Sequence, residues 1–330
     1  MVKIGITGLG FMGKMHVAVY QQLKSVLDFE VTAVADADRD KADELAKLLN
    51  VKAYYSPQEL IDNADVNTVD ICLPTWLHYE YASRALSKGF NIFVEKPLCL
   101  YSKDAFALVK QADEKKVFSQ VGLTLRFWPE YEYLKSVVDD GVYGKMKHLK
   151  LRRLSPVPGN SWMRDVNLSG GATLDLQIHD ADFALYLFGQ PEKINAFSNH
   201  TGEKYSSIVS ELKYGNFSVI TEGSWDYPPS FPFEMGYIAA FEKATIIYSM
   251  LYGLNVYPVE GESFCPKIVR ECSAQADAGG NLSDLGGYYN ELYYFINCIN
   301  NGIQPVKATL LAGAEAVELT EKQKAATAAS

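Results

Sequence analysis

Through its first 120 or so residues the chain alternates short, almost wholly apolar runs with longer stretches of helical spacing. The runs are Val2–Thr7 (VKIGIT), Glu30–Ala35 (EVTAVA), Asn67–Leu73 (NTVDICL) and Asn91–Val94 (NIFV), which end at Gly8, Asp36, Pro74 and Glu95. Between them, Arg39–Leu49 and His78–Lys88 carry apolar residues at three- and four-residue intervals, and Gly89 supplies a stop for the second. Strands that are apolar on both faces and separated by helices predict a parallel sheet covered on both sides.

From about Met146 the pattern changes. Met146–Leu154, Ile194–Asn199, Ser206–Leu212, Phe217–Trp225, Met235–Phe241 and Ala244–Tyr248 read as strands with little helix between them, and Tyr214-Gly215-Asn216 reads as a hairpin turn. That predicts a largely antiparallel sheet, with one helix over Thr173–Phe188 set before its later strands. Two helices, Tyr288–Asn300 and roughly Leu310–Lys322, close the chain before a frayed tail at Ala325–Ser330.

With 330 residues there is material for two domains, and 48% hydrophobic against 22% charged residues is ordinary for a globular protein. The formal charge of −9, with no Lys/Arg cluster longer than Leu151-Arg152-Arg153, argues against a nucleic-acid partner. The longest apolar stretches are strand-sized, so no membrane span is expected. Strand-forming residues from Val2 onward leave no room for a secretory leader, and a cytoplasmic protein is expected. Cys72, Cys99, Cys265, Cys272 and Cys298 form no CxxC pair. They read as reduced thiols, and no metal site is expected.

Gly8-Leu9-Gly10-Phe11-Met12-Gly13 fits GxGxxG, a weak match by itself in a chain of 24 glycines. Its setting strengthens it: a strand precedes it, a helix follows, and Asp36 ends the next strand. The glycines allow a tight turn and close backbone approach, and the helix N-terminus offers N–H groups to a pyrophosphate. Asp36 suits the adenosine ribose hydroxyls and repels a 2′-phosphate, which favours NAD. Arg39 is the residue that could receive that phosphate and make the cofactor NADP, but it also reads as a solvated residue at a helix start. Leu73, Pro74 and Thr75 follow a strand end and would line the cofactor crevice. His78 reads either as part of that lining or as a helix-start residue bonded to backbone.

Glu95-Lys96-Pro97 stands at another strand end, where open α/β sheets place ligands. There Lys96 can donate to a substrate oxygen, or it is an ordinary surface lysine in a turn, and Pro97 suits a cis bond. Asp175 and His179 are four apart, so a continuous helix would put them on one face with Asp182 and Tyr186, against an apolar stripe of Leu174, Ile178, Ala181, Leu185 and Phe188. A histidine oriented by a carboxylate is a natural proton shuttle, or the pair braces a core.

Taken in order, these motifs resemble the glucose–fructose oxidoreductase and inositol dehydrogenase family (Gfo/Idh/MocA). The likeness covers Gly8–Gly13 with Asp36, Leu73-Pro74-Thr75 with His78, Glu95-Lys96-Pro97, and Val121-Gly122 leading to Arg126. It continues through Gly141-Val142-Tyr143-Gly144-Lys145, Ser169–Asp175 with His179, and Tyr289-Asn290-Glu291-Leu292 with Phe295 before Asn301-Gly302. The resemblance implies an α/β protein: a doubly wound Rossmann domain over 1–122 and an α+β domain with an open, mostly antiparallel sheet over 123–330. A C-terminal helix at about 308–323 is a candidate to pack back on the first domain. It implies NAD(P)-dependent oxidation of a secondary hydroxyl of a sugar or cyclitol, or the reverse reduction, by a homodimer or homotetramer. It assigns the chemistry to Lys96, Asp175 and His179, with Glu95 in the cofactor crevice. Arg126, Trp162 and Arg164 are candidate substrate contacts, each also readable as packing or a surface ion pair. In one departure, Leu176-Gln177-Ile178 stands where a glycine often precedes the histidine. A nucleotide-sugar dehydrogenase of the same family and a non-catalytic NAD(H) sensor are the alternatives.

Overall fold

The computed structural model describes residues 1–159, 161–198, 206–268 and 286–327. It divides into two compact units, one of Met1–Phe127 with Glu271–Ala314, the other of Trp128–Arg270 with Glu315–Ser330.

The first unit begins with β1 (Val2–Thr7), α1 (Phe11–Leu23), β2 (Phe29–Ala35), α2 (Arg39–Leu49), β3 (Lys52–Tyr54) and α3 (Pro57–Asn63). It continues with β4 (Thr68–Ile71), α4 (Thr75–Ser87), β5 (Asn91–Val94), α5 (Ser102–Lys115), β6 (Ser119–Val121) and a 3₁₀ turn at Thr124–Phe127. The six strands are all parallel, in the order β3-β2-β1-β4-β5-β6. The order reverses between β1 and β4, which opens a crevice above the carboxyl ends of those strands. Ile4, Ile6, Val69, Ile71, Ile92 and Val94 are fully buried, as a sheet covered on both faces requires. Local chemistry sets the helix ends. The Asp38 side chain accepts from Lys41 N–H at the start of α2, and Ser56 accepts from Glu59 N–H at the start of α3. Gly89 takes φ +77 just past α4, the stop its position suggested.

The second unit holds α6 (Pro129–Asp140), β7 (Met146–Pro156), α7 (Ser161–Arg164), α8 (Val166–Ser169), α9 (Gly171–Asp175) and α10 (Ile178–Phe188). Six further strands follow: β8 (Lys193–Phe197), β9 (Ser207–Tyr214), β10 (Phe217–Tyr227), β11 (Glu234–Phe241), β12 (Ala244–Ser249) and β13 (Gly253–Pro258). The sheet runs β13-β12-β11-β7-β10-β9-β8 and is antiparallel except where β7 lies parallel to β10. The expected hairpin joins β9 to β10, with Tyr214 opposite Phe217 and Gly215 at φ +53. Asn199, the last residue of the expected strand at Ile194, lies outside the described residues.

The chain returns to the first unit with α11 (Gly286–Asn301), and α12 (Leu310–Thr327) starts there and runs on into the second. Ala308, Leu310, Ala312 and Ala314 share the first unit's core, and Val121 N–H donates to Ala308 O at 3.0 Å. The boundary expected after 122 is therefore too simple: the first unit also takes the Thr124–Phe127 turn, α11 and the start of α12. The expected frayed tail is also corrected, because Ala325–Thr327 are helical; 328–330 lie outside the described residues.

A further correction concerns Thr173–Phe188, which is not one helix. It breaks between α9 and α10 at Leu176 and Gln177, whose N–H groups both donate to Ala172 O, at 2.9 and 2.8 Å. The cause is Gln177, which is fully buried with its amide bonded to the Thr221 hydroxyl on β10. Gly223 on the same strand leaves room for it, since a Cβ there would come within 2.9 Å of the Gln177 Cβ.

Candidate active site

In the first unit the three glycines of the β1–α1 turn are used in three different ways. Gly8 has φ +84, and a Cβ on it would come within 2.6 Å of the Cys72 carbonyl. Gly13 lets α1 lie against the end of β1, because a Cβ would stand only 2.0 Å from Gly8 O. At Gly10 an added Cβ would meet nothing within 4 Å. Gly10 is the N-cap of α1 with no side-chain cap, so the first-turn N–H groups of Phe11, Met12 and Gly13 have no side-chain acceptor there. A backbone open at Gly10 and uncapped behind it is a cradle for a diphosphate. Asp36 is pinned at its foot: Leu9 N–H donates to Oδ2 at 2.7 Å and Asp38 N–H to Oδ1 at 2.8 Å. The residues present thus fit a dinucleotide, with Asp36 held where ribose hydroxyls can donate to it. Arg39 is exposed and lies 4.2 Å over the Tyr55 ring.

Leu73 and Pro74 are half-buried and Thr75 is buried in the first turn of α4. His78 is spent on backbone. Nδ1 lies 2.7 Å from Pro97 O and Nε2 2.7 Å from Leu73 O. Burial lowers its pKa, against those two carbonyls, which raise it. His78 therefore clips the turn after β4 to the turn after β5, the brace that its sequence position left open. Lys96 begins that second turn, and its bond to Pro97 is cis.

Glu95 departs from expectation. Its carboxylate turns into the interior rather than toward the crevice, with 4% exposure. Oε1 lies 3.1 Å from His16 Nε2, and Oε2 accepts the Lys96 backbone N–H at 3.2 Å. The other ring nitrogen of His16 lies 2.8 Å from Asp70 Oδ2, to which the Tyr20 hydroxyl donates at 2.9 Å. Cys72 Sγ is 3.2 Å from the same nitrogen, and Glu291 closes the group from α11. Sequence reasoning missed this cluster. Its one signal was the position of His16, three residues past Gly13 on the buried face of α1. Arg126 is also buried, and Nη1 donates to Lys307 O at 2.8 Å, so at least one arm of its guanidinium braces backbone.

In the second unit Asp175 ends α9, buried at 7% exposure, and His179 lies half-buried in the first turn of α10. They stand on the two sides of the break, one at the end of α9 and the other in the first turn of α10. Gly170 and Gly171, both at positive φ, start α9, and the Lys324 ammonium donates to Gly170 O at 2.5 Å. Beside His179, Asp180 faces Arg153 at 3.5 Å, both fully in the interior, and burial lifts the Asp180 carboxyl to about 6 against the pull of Arg153. Trp162 is half-buried on α7, whereas Arg164 is exposed with Nε donating to Pro158 O at 3.3 Å.

Two family models match successive parts of this chain, together covering most of residues 2–246. Residues 2–123 match the oxidoreductase family with an NAD-binding Rossmann fold, and residues 131–246 match the GFO/IDH/MocA C-terminal domain. The chain belongs to the Gfo/Idh/MocA family. Its first unit is accordingly an NAD-binding Rossmann domain. It is similar to a myo-inositol 2-dehydrogenase of Thermotoga maritima, 32% identical over 190 residues, 57% of this chain and 55% of that protein. It is also similar to a scyllo-inositol 2-dehydrogenase (NAD(+)) of Bacillus subtilis, 27% identical over 323 residues, 92% of this chain and 88% of that one. The chain thus spans about half the length of the first relative and most of the second. Among solved structures, a levoglucosan dehydrogenase in complex with NADH and levoglucosan shares the fold, with TM-score 0.83 and 20% identity over 99% of this chain and 97% of that one. Among the described residues no helix is long and apolar enough to cross a membrane.

Proposed function

We propose that this Gfo/Idh/MocA member is an NAD-dependent dehydrogenase that oxidises a secondary hydroxyl of a sugar or cyclitol, or reduces the matching ketone. The observation that carries the reading is the glycine turn: two glycines closed against backbone, one open at an uncapped helix start, and Asp36 pinned below. Gly8, Gly10, Phe11, Met12 and Gly13 hold the diphosphate through backbone N–H groups, and Asp36 takes the ribose hydroxyls and disfavours a 2′-phosphate. Leu73, Pro74 and Thr75 line the crevice beyond. When bound, the cofactor supplies a hydride acceptor at nicotinamide C4.

The protein's own residues then handle the proton. In the oxidising direction His179 takes the hydroxyl proton as general base, and Lys96 donates a hydrogen bond to the same oxygen. Asp175 orients His179 or holds the Lys96 contact. The half-burial of His179 supports this role, since an exposed imidazole would share its proton with bulk water. Trp162, Arg164 and Arg126 are substrate contacts in this reading. The protein works in the cytoplasm as a homodimer or homotetramer.

The test is turnover of NAD⁺ with a panel of inositols, free aldoses, sugar acids and nucleotide sugars, beside His179→Ala. The unmutated protein is expected to form NADH with a polyol or sugar, and the variant to lose on the order of 10² to 10⁴ in kcat. Full kcat in the variant removes His179 from the role. NADH binding without turnover on any member of the panel favours a sensor.

A further inference from the structure

The buried cluster beneath the cofactor crevice has a geometry that packing alone does not call for. Both ring nitrogens of His16 face carboxylates, Asp70 at 2.8 Å and Glu95 at 3.1 Å, an arrangement that suits an imidazolium donating to both. Burial opposes that charge, but Asp70 and Cys72 hold the His16 pKa well above the usual imidazole range. Among the described residues the facing groups are Tyr20 from α1, Asp70 from β4, Cys72 and Glu95 just past the ends of β4 and β5, Glu291 from α11, and the Phe93 ring edge-on at 5.4 Å. Glu291 is fully buried with neither carboxylate oxygen hydrogen-bonded, and burial beside Glu95 pushes its pKa up.

The cluster joins three segments of the proposed site. His16 lies one turn into the helix whose N-terminus cradles the diphosphate. Asp70 and Cys72 stand at the end of β4, just before Leu73 and Pro74. Glu95 directly follows β5 and grips the Lys96 backbone N–H through Oε2 while His16 holds Oε1. Gly122 makes space for that grip, since a Cβ on it would stand 2.7 Å from Glu95 Oε1.

On the reading of Lys96 as the group that meets the substrate oxygen, we propose that His16 is a positioning residue: its imidazolium fixes the Glu95 carboxylate, which in turn sets the turn that aims Lys96. Half of the ring can be mimicked at a time. An asparagine amide reaches where Nδ1 stands and keeps the Asp70 bond, whereas a glutamine amide reaches where Nε2 stands and keeps the Glu95 bond. Both substitutions remove the same charge from the same buried site. A role in folding alone would make them equivalent.

The experiment compares His16→Asn and His16→Gln with the unmutated protein and with Lys96→Met, measuring kcat, KM, NADH affinity and hydrogen exchange at the Lys96 amide. His16→Asn is expected to lower kcat on the order of tenfold more than His16→Gln, as a misplacement of about 1 Å can cost far more than that. It is also expected to speed exchange at the Lys96 amide, with NADH affinity alike in the two variants. Gly122→Ala, which displaces Glu95 without removing any polar group, is expected to follow His16→Asn, and it serves if the histidine variants do not fold. Equal kcat and equal exchange in the two histidine variants, or an undisturbed Lys96 amide in Gly122→Ala, overturns the proposal. A Lys96→Met enzyme with full kcat instead overturns the reading of Lys96, and the exchange data still decide whether the cluster sets the turn.

Discussion

Two glycines three residues apart in one turn should fail in opposite ways when given a methyl group. At Gly13 the added Cβ would sit 2.0 Å from Gly8 O and 3.0 Å from its carbonyl carbon. Those are backbone atoms anchored by β1, so they cannot swing aside. The helix must lift by more than 1 Å, loosening Met15, Val17 and Tyr20, all buried on its inner face. Overpacking of this kind costs up to about 3 kcal/mol. At roughly 2–4 °C per kcal/mol for a unit of this size, Tm should fall by about 6–12 °C. At Gly10 the Cβ meets nothing within 4 Å, and its φ of −73° with ψ of −154° suits any residue. Gly10→Ala should therefore stay within about 0.5 kcal/mol of the parent. What the methyl does occupy is the approach to the uncapped N–H groups. Losing one hydrogen bond to a charged oxygen, about 1.5–3 kcal/mol, raises the NADH Kd by roughly 10- to 150-fold. Thermal unfolding and NADH fluorescence titration on both variants separate the two effects. A Gly10→Ala protein that binds NADH normally, or that loses as much Tm as Gly13→Ala, refutes the assignment of this turn.

Other consequences are equally direct. Asp36→Ser should weaken NAD binding and narrow or reverse the preference over NADP, read as the ratio of the two Kd values; an unchanged ratio removes Asp36 from the ribose site. The Asp180 carboxyl titrates at about 6 when folded and near 3.8 when unfolded. The folded state therefore holds that proton longer, and the stability it confers, present below pH 4, is lost as pH rises toward 6. About 2 units amount to about 3 kcal/mol. Asp180→Asn should lack this decline in urea unfolding between pH 4 and 6, although leaving Arg153 unpaired lowers its stability throughout. A parent and variant with the same slope would show that Asp180 is not the titrating group. Gln177→Leu removes one bond to Thr221 while keeping bulk, and because Gln323 Nε2 still donates to that hydroxyl at 3.3 Å it should cost only the net value of one hydrogen bond, about 0.5–1.5 kcal/mol; a neutral result would mean that the break between α9 and α10 has another cause.

The parts of this protein that were legible in its sequence are those governed by neighbours along the chain. β1, β2, β4 and β5 stand out because strands covered on both faces read as unbroken apolar runs, and the glycine turn stands out because strand, turn, helix and Asp36 follow at short range. β3 and β6, three residues each, are too short to carry a pattern, and β13 (GLNVYP) is broken by its glycine and asparagine. The helix at Thr173–Phe188 misled because its break is imposed by Thr221 and Gly223, more than forty residues away, while each local residue favours continuing. The same holds for Glu95. Nothing near it announces that it turns inward, because its partner His16 lies 79 residues earlier. Lys96, Asp175 and His179 stand out in the sequence as candidates; their local setting, a carboxylate-gripped turn and the two sides of a helix break, required the fold.

Hydride transfer from a carbinol carbon is read out by the fate of an isotope on that carbon. Once the panel has identified a turned-over polyol or sugar, that substrate carrying deuterium on the reacting carbon is incubated with NAD⁺ and the protein, and the nucleotide product is examined by mass and by NMR at nicotinamide C4. One deuterium at C4 on a single face is expected, with the yield collapsing in His179→Ala. Unlabelled NADH, or label that appears equally without His179, would contradict it.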